Sequence, residues 1–158
     1  RGHLQILDWK LRNVGDDAKD SHISTDTADP DFQLPIELYR LATLIYLRRA
    51  SAGVLPMNQA FTEWIDKAFA LLSQLPACQW PFPLLIFGCE ARTDQERMVI
   101  LDLMCRTMKN TEFRNIKTVK RVVETVWVQN DLSTDDLDYV RKLGVILSST
   151  HKTVPSFL

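Results

Sequence analysis

The sequence predicts an all-α domain, an irregular bundle of about six or seven helices. Apolar residues recur at helical spacing in six or seven segments, and no segment sustains the alternation that is typical of a half-buried strand. Proline and glycine punctuate the chain between these segments. With 158 residues, 46% of them hydrophobic and 25% charged, the chain is long enough and apolar enough for one domain with its own core.

The first helix is predicted from its apolar face, which ends before Gly15, a plausible cap. This face carries Leu4, Leu7, Leu11 and Val14. Residues 16–33 follow, with six aspartates and almost nothing to bury. We interpret them as an acidic mobile loop, either an excursion from the domain or a regulatory segment.

The next helix is expected to be central, because its apolar positions go nearly all the way round. Pro35 suits its first turn, and Arg48 and Arg49 fall in its last turns, where cations favour the helix dipole. The apolar positions are Leu38, Tyr39, Leu41, Ala42, Leu44, Ile45, Tyr46 and Leu47.

Asn58 can cap a third, amphipathic helix that Pro76 ends. Its apolar face carries Phe61, Trp64, Ile65, Ala68, Leu72 and Leu75. The segment 80–91, WPFPLLIFGCEA, then runs from two prolines into a stretch that is apolar on every side. We predict an enclosed helix with Glu90 at its open end. A buried strand would fit the pattern of 84–87 equally well, but the chain offers no partner strands.

Thr93 and Glu96 form a capping box that begins a long helix reaching about Lys109. We expect its buried face to carry Met98, Leu101, Cys105 and Met108. Another helix begins near Asn115 and turns inward Ile116, Val119, Val123, Val126 and Trp127. A final helix from about Thr134 uses Leu137, Val140, Leu143 and Leu147.

Composition excludes several classes of protein. The net charge of −1 argues against a general polyanion binder. Three cysteines without close pairing argue against a secreted disulfide framework and favour a reducing compartment. No apolar run approaches the roughly 20 residues that a membrane span needs, and we expect no membrane partner. Because the chain begins at Arg1 rather than Met, we expect a piece of a longer protein.

The sequence predicts neither a metal site nor a catalytic site. Cys78, Cys89 and Cys105 are widely spaced and the three histidines are scattered, whereas zinc ligands come in short, paired spacings. We therefore expect the cysteines to be small buried apolar residues. No glycine-rich phosphate loop and no local Cys–His signature is present.

Glu90 is the one carboxylate in an apolar setting, as a general acid would require. The alternative is a structural pair with Arg92, Arg97 or a helix end, and we favour it, because ion pairs also place carboxylates in such settings.

Basic residues cluster over 106–121, and Lys117, Lys120 and Arg121 are the candidate interaction patch. Such a patch could bind phosphates or an acidic partner. Alternatively, it is the solvated side of an amphipathic helix, whose positive charge the acidic run 131–138 neutralises. No base-reading pattern accompanies these charges, so we expect no direct DNA contact.

A hydrophobic ligand is the remaining candidate, since small-molecule sites are mostly apolar. Aromatic side chains of the central helix and of segment 80–91 would line its pocket, and a glycine would allow close approach. Plain core packing is the alternative. The pocket residues are Tyr39, Tyr46, Phe82, Ile86, Phe87 and Gly88.

Three segments together resemble one family. They are LYRLATLIYLRR at 38–49, WPFPLLIFGCEA at 80–91 followed by the acidic–Arg step at 94–97, and VVETVWVQND at 122–131. The chain resembles the fungal-specific transcription factor domain, the regulatory region of fungal zinc-cluster transcription factors. The resemblance runs from about Leu4 to the end, and the pair Phe82-Pro83 departs from the family's commoner spacing after Trp-Pro.

The resemblance implies the C-terminal part of a larger helical regulatory domain in a nuclear protein, with shuttling between nucleus and cytoplasm as an alternative to a fixed nuclear location. It implies protein partners or self-association, and zinc only in a separate N-terminal DNA-binding domain, not in this chain. Our leading hypothesis is a non-catalytic regulatory domain. The alternative is a sterol- or lipid-sensing domain that binds a hydrophobic small molecule, as in relatives similar to yeast sterol regulators. A third hypothesis is a helical enzyme that uses Glu90.

Overall fold

The computed structural model describes residues 2–13, 30–51, 59–110, 114–132, 140–141 and 143–144. These residues form six long helices and no strand, which confirms the all-α prediction. The helices are α1 (Gly2–Asn13), α2 (Pro30–Ala50), α3 (Gln59–Gln74), α4 (Pro81–Glu90), α5 (Asp94–Asn110) and α6 (Arg114–Leu132). Within the described residues, no helix is both long and apolar enough to cross a membrane.

Helix α4 is the centre of the bundle and packs against α2, α3, α5 and α6. Trp80 precedes it in extended conformation, with φ −99° and ψ 102°. Pro81 then begins the helix, where its fixed φ suits the first turn and its missing N–H costs nothing. Every residue from Pro83 to Glu90 is buried. The enclosed helix expected from the all-round apolar pattern is therefore confirmed.

The capping box at the start of α5 is also confirmed. The Glu96 amide donates to the Thr93 hydroxyl oxygen at 3.2 Å, and the Glu96 carboxylate accepts from the Thr93 and Arg92 amides at 2.9 and 2.8 Å. Partial burial alone would raise the pKa of Glu96, but the two amides, the Thr93 side chain and the charge of Arg92 together more than offset it, so the pKa lies below its ordinary value.

The predicted inner face of α5 was wrong in part. Leu101 and Met108 are half-buried against the core, but Met98 is 70% exposed and Cys105 is exposed, which also corrects the prediction of three buried cysteines. The buried residues of α5 are Ile100, Leu103, Met104 and Thr107. Thr107 is buried without cost because its hydroxyl donates to the Leu103 carbonyl at 2.7 Å and accepts the Cys78 amide at 2.9 Å. A search for apolar residues at helical spacing does not find this position, because the buried side chain is polar and fully hydrogen-bonded.

Helix α2 begins at Pro30, so Pro35 lies inside it rather than at its first position. Pro30 itself satisfies the preference for proline at a helix start, and Pro35 removes only one hydrogen bond in the second turn. The last positions of the predicted acidic loop, 30–33, are consequently helical. Residues 16–29 of that loop lie outside the described residues, as do Val14 and Gly15 at the predicted end of the first helix.

Helices α3 and α6 agree with the sequence in their described parts. The predicted inner face of α6 is buried, and α3 buries or half-buries every apolar position expected of it. Asn58, the expected cap of α3, lies outside the described residues, as does most of the predicted final helix. Of that helix, Leu143 is helical and buried.

Helix α1 differs from the prediction in how it packs. It contacts α2, but none of its residues is buried. Leu4 and Leu11 are half-buried, whereas Leu7 is 45% exposed. The polar residues Asp8 and Arg12 are half-buried on the side of α1 that faces the bundle, where the apolar spacing predicted only leucines and a valine.

Candidate functional site

Three aromatic side chains meet at the surface where α2 crosses the start of α4. The Tyr39 and Phe82 rings stack with centroids 6.2 Å apart and an interplanar angle of 19°. The Tyr46 ring meets Phe82 edge-on at 6.3 Å and 72°. Tyr39 and Phe82 are half-buried and Tyr46 is 38% exposed. We call these three residues the aromatic cluster.

Helical spacing explains why these side chains meet. Tyr39 and Tyr46 are seven residues apart in α2 and share a face of the helix, and Pro81 fixes the chain so that Phe82 leaves the first turn of α4 toward them. The pairs have the stacked and edge-to-face geometries that aromatic rings prefer. Burial raises the pKa of the Tyr39 hydroxyl, with a smaller contribution from the Cys78 thiol. The Tyr39 hydroxyl is therefore uncharged at neutral pH, and the three rings offer a surface that suits apolar or aromatic groups.

The remaining predicted pocket residues belong to the core. Ile86 and Phe87 are fully buried in the main cluster of α4. Gly88 meets α6 so closely that an added Cβ would lie 2.7 Å from Cγ2 of Val123. The predicted set of six therefore divides into a surface group, Tyr39, Tyr46 and Phe82, and a core group, Ile86, Phe87 and Gly88.

The end of α4 is fixed by α6 and α5. Trp127 Nε1–H donates to the Gly88 carbonyl at 2.7 Å and so satisfies a backbone acceptor in the last turn of α4. The Arg97 guanidinium lies 5.4 Å from the Trp127 ring centroid and donates to both oxygens of Asp131 at 2.9 and 2.7 Å. These hydrogen bonds hold the pKa of Asp131 below its ordinary value.

Glu90 pairs with Arg49, not with the expected Arg92, Arg97 or helix end. Arg49 Nε and Nη2 donate to the two carboxylate oxygens at 2.9 and 2.7 Å, and the Glu90 side chain is 2% exposed. The Arg49 guanidinium also lies 4.9 Å from the Phe61 ring centroid. Glu90 is thus buried rather than at an open end, and both of its oxygens are engaged in joining α4 to α2.

Sequence reasoning found Glu90 but missed Arg49, which is 41 positions away. A buried carboxylate needs a cation, so the sequence did require an arginine or lysine nearby. The last turns of α2 offered two adjacent arginines, and helix spacing alone does not say which of them reaches α4.

The basic patch lies on the outer face of α6. Lys117 and Arg121 are exposed one turn apart, and Lys120 is half-buried with its Nζ 3.4 Å from Glu124 Oε1. Arg106, which the same basic run includes, instead donates to the Leu75 carbonyl at 2.6 Å and caps the end of α3. The patch therefore consists of two solvated cations beside one ion pair.

The described residues contain no group of three histidine, cysteine, aspartate or glutamate side chains that could hold a metal ion. Cys78 and Cys89 are buried. Burial raises the pKa of the Cys78 thiol to about 11 and raises that of Cys89 further. Burial therefore disfavours the thiolate form of both side chains, which is the form that binds metal ions.

The chain is similar in sequence to a known protein family and to two curated proteins. The family model described as the fungal specific transcription factor domain matches residues 2–149. The chain is 35% identical over 149 residues to transcription factor iacI of Pestalotiopsis fici, covering 94% of this chain and 36% of that protein. It is 26% identical over 143 residues to an uncharacterized transcriptional regulatory protein of Schizosaccharomyces pombe, covering 86% of this chain and 27% of that protein.

The chain thus spans about a third of the length of one curated relative and about a quarter of the other. No solved structure matches it.

Proposed function

This chain belongs to the family of fungal specific transcription factor domains, and from that membership we propose that it is a non-catalytic regulatory domain within a longer fungal transcription factor. Its two curated relatives carry the names of a transcription factor and a transcriptional regulatory protein, which supports this role. The closed ion pair of Glu90 with Arg49 favours it over the enzyme hypothesis, because an acid–base catalyst needs a carboxyl group within reach of a substrate.

The observation that carries the proposal is the aromatic cluster. Phe82 belongs to the helix that is otherwise the most enclosed element, yet it reaches a partly exposed surface formed with Tyr39 and Tyr46. Aromatic side chains are enriched where proteins bind partners, because they offer large rigid contact area and a polar tip. We assign this surface to a protein partner, and its connection to α4 would let binding influence the centre of the bundle.

A lipid-sensing role is the second candidate, because the same cluster brings three aromatic rings together at a partly exposed surface. Its partial exposure favours a partner side chain over an enclosed sterol, since small-molecule sites bury most of their ligand. A thermal shift of the intact chain with ergosterol or palmitate, but not with detergent at equal concentration, would support the lipid.

The location and the DNA contact of the whole protein are part of the same proposal. We place the protein in the nucleus and assign direct DNA binding to a zinc cluster in another part of the longer protein. The solvated Lys117 and Arg121 are two exposed cations without a base-reading pattern, which suits an acidic protein surface better than a duplex.

The experiment is a reporter measurement with the full-length transcription factor in a fungal host. Tyr46→Ala removes the most exposed ring of the aromatic cluster, and Val128→Ala, at an exposed position of α6, is the matched control. We expect Tyr46→Ala to change reporter output severalfold, since truncating an aromatic anchor weakens partner binding by about tenfold or more. Output equal to wild type for Tyr46→Ala, with the protein stably folded and present in the nucleus, would contradict the proposal.

A further inference from the structure

Helix α1 is joined to the bundle by polar contacts along one face. Asp8 Oδ2 accepts a hydrogen bond from Arg48 Nη2 at 3.0 Å and lies 3.1 Å from Arg12 Nε. Arg48 is 4% exposed, so its guanidinium lies beneath α1 rather than in solvent. Leu4 and Leu11, one turn to either side of Asp8, are half-buried. A carboxylate between two apolar residues thus forms the contact.

The indole of Trp64 in α3 completes this contact. The Arg12 and Arg48 guanidinium carbons lie 5.1 and 5.7 Å from the Trp64 ring centroid, within the range of cation–π attraction. One aromatic ring therefore contacts a cation from α1 and a cation from α2. Asp8 pairs with both cations and offsets one of the two positive charges that they bring together.

The underlying face of α2 is built to receive a helix. Arg40, Leu44 and Arg48 are spaced four residues apart and lie in one row. Leu44 is fully buried, and Arg40 Nη1 donates to the Arg12 carbonyl at 3.4 Å, at the end of α1 where a cation favours the helix dipole. The other side of the Arg40 guanidinium donates from Nε and Nη2 to the two Glu37 carboxylate oxygens at 2.7 Å, so Arg48 is the cation of this face that meets the carboxylate of α1. Together, the Arg48 guanidinium, an apolar centre and an indole form a surface complementary to an amphipathic helix that carries a carboxylate. We call Arg40, Leu44, Arg48 and Trp64 the α1-docking surface.

We propose that the α1-docking surface binds an amphipathic helix of a partner protein that presents a carboxylate between two apolar residues, and that α1 is the displaceable helix that covers it. The pattern Leu4, Asp8, Leu11 in α1 defines what a partner must present. Helix-in-groove recognition of this kind reads apolar anchors at one-turn spacing. The carboxylate adds charge complementarity to Arg48.

Displacement is feasible because little of α1 is buried. A 12-residue helix is marginal in isolation, and α1 has no buried residue to hold it. A tethered helix has a high effective concentration, so a competitor must offer better contacts or arrive at high concentration. Binding of such a partner would shift the population of a state with α1 released.

This surface is separate from the aromatic cluster, since Arg40 and Arg48 lie on a different face of α2 from Tyr39 and Tyr46. The proposal therefore does not rest on the proposed function, and each can fail alone.

The test uses the intact chain and a blocked, fluorescent peptide with the sequence of residues 2–13. In the chain, Asp8→Lys places a cation against Arg48 and releases α1, while Asp8→Asn removes the charge with less repulsion. Lys10→Glu changes an exposed charge on the other side of α1 and is the matched control. Fluorescence anisotropy gives the peptide affinity, and the thermal midpoint of each variant shows that the bundle remains folded.

We expect the Asp8→Lys chain to bind the peptide at least about tenfold more tightly than wild type and the Lys10→Glu chain do, since the resident helix no longer competes. A peptide with the Asp8→Asn change should bind about tenfold more weakly, and salt should weaken the unmodified peptide. Equal affinity of the wild-type and Asp8→Lys chains, or of the two peptides, would overturn the proposal. Light scattering gives the oligomeric state of the chain. A dimer that the peptide dissociates would mean that α1 of a second copy, not a partner protein, occupies the surface, and this result would overturn the proposal.

Discussion

Helices α4 and α1 have similar lengths, 10 and 12 residues, but opposite surroundings. From Pro83 to Glu90 every residue of α4 is buried, and Arg49 and Trp127 from other helices bind its Glu90 carboxylate and its Gly88 carbonyl. No residue of α1 is buried, and an ion pair with Arg48 holds it. The contrast teaches that apolar packing holds α4 in place. For α1, we expect salt or a competing helix to weaken its polar contacts and release it from α2.

The largest expected effect is at the buried ion pair of α4. Glu90→Ala leaves the Arg49 guanidinium without its carboxylate, and breaking a buried pair from one side costs about 3–5 kcal/mol of unfolding free energy. Urea denaturation followed by circular dichroism measures this loss. Glu63→Ala, at an exposed position of α3, should change stability by less than about 0.5 kcal/mol.

The double variant Glu90→Leu with Arg49→Met should recover most of that loss, because an apolar pair of similar volume carries no unpaired charge. If Glu90→Ala costs less than about 1 kcal/mol, on the scale of a surface ion pair, then α4 is held no more firmly than α1 and the contrast fails.

A smaller effect is expected where α4 touches α6. In Gly88→Ala the new Cβ would lie 2.7 and 2.9 Å from the two γ carbons of Val123, which is a buried branched side chain. Such overpacking costs about 1–3 kcal/mol, more than the roughly 1 kcal/mol that alanine gains over glycine in a helix. Thermal unfolding should show a lowered midpoint.

Two further variants separate the steric cause from helix propensity. Gly144→Ala has open space around its Cβ and should not lower the midpoint. In a Val123→Ala background, Gly88→Ala should be neutral or stabilising, because the two γ carbons are gone. A Gly88→Ala midpoint equal to wild type would show that α4 and α6 can separate at low cost.

The sequence predicted what local patterns determine. The all-round apolar run marked α4 as enclosed, and the spacing from Ile116 to Trp127 marked the inner face of α6 correctly. The Thr93–Glu96 capping box is a contact between residues three apart, and it formed as expected. Such features need no knowledge of which helix lies beside which.

The sequence could not predict contacts between distant helices. Arg48 reaches Asp8 across 40 positions and Arg49 reaches Glu90 across 41, although the two arginines are neighbours in α2. One points to the surface helix and the other to the central helix, a division that follows from how the helices cross. The predicted pocket residues show the same limit. Phe82 is half-buried at the surface and Phe87 is fully buried in the core, and this difference follows from how the helices pack, not from the local sequence.

Native-state hydrogen exchange on the intact chain tests the contrast between α4 and α1 most directly. We predict that α1 amides exchange at least about a hundredfold faster than α4 amides, because α1 opens locally while α4 opens only with the bundle. Asp8→Asn should speed exchange in α1 and leave α4 unchanged. Equal protection of the two helices, or faster exchange in both on Asp8→Asn, would contradict the account.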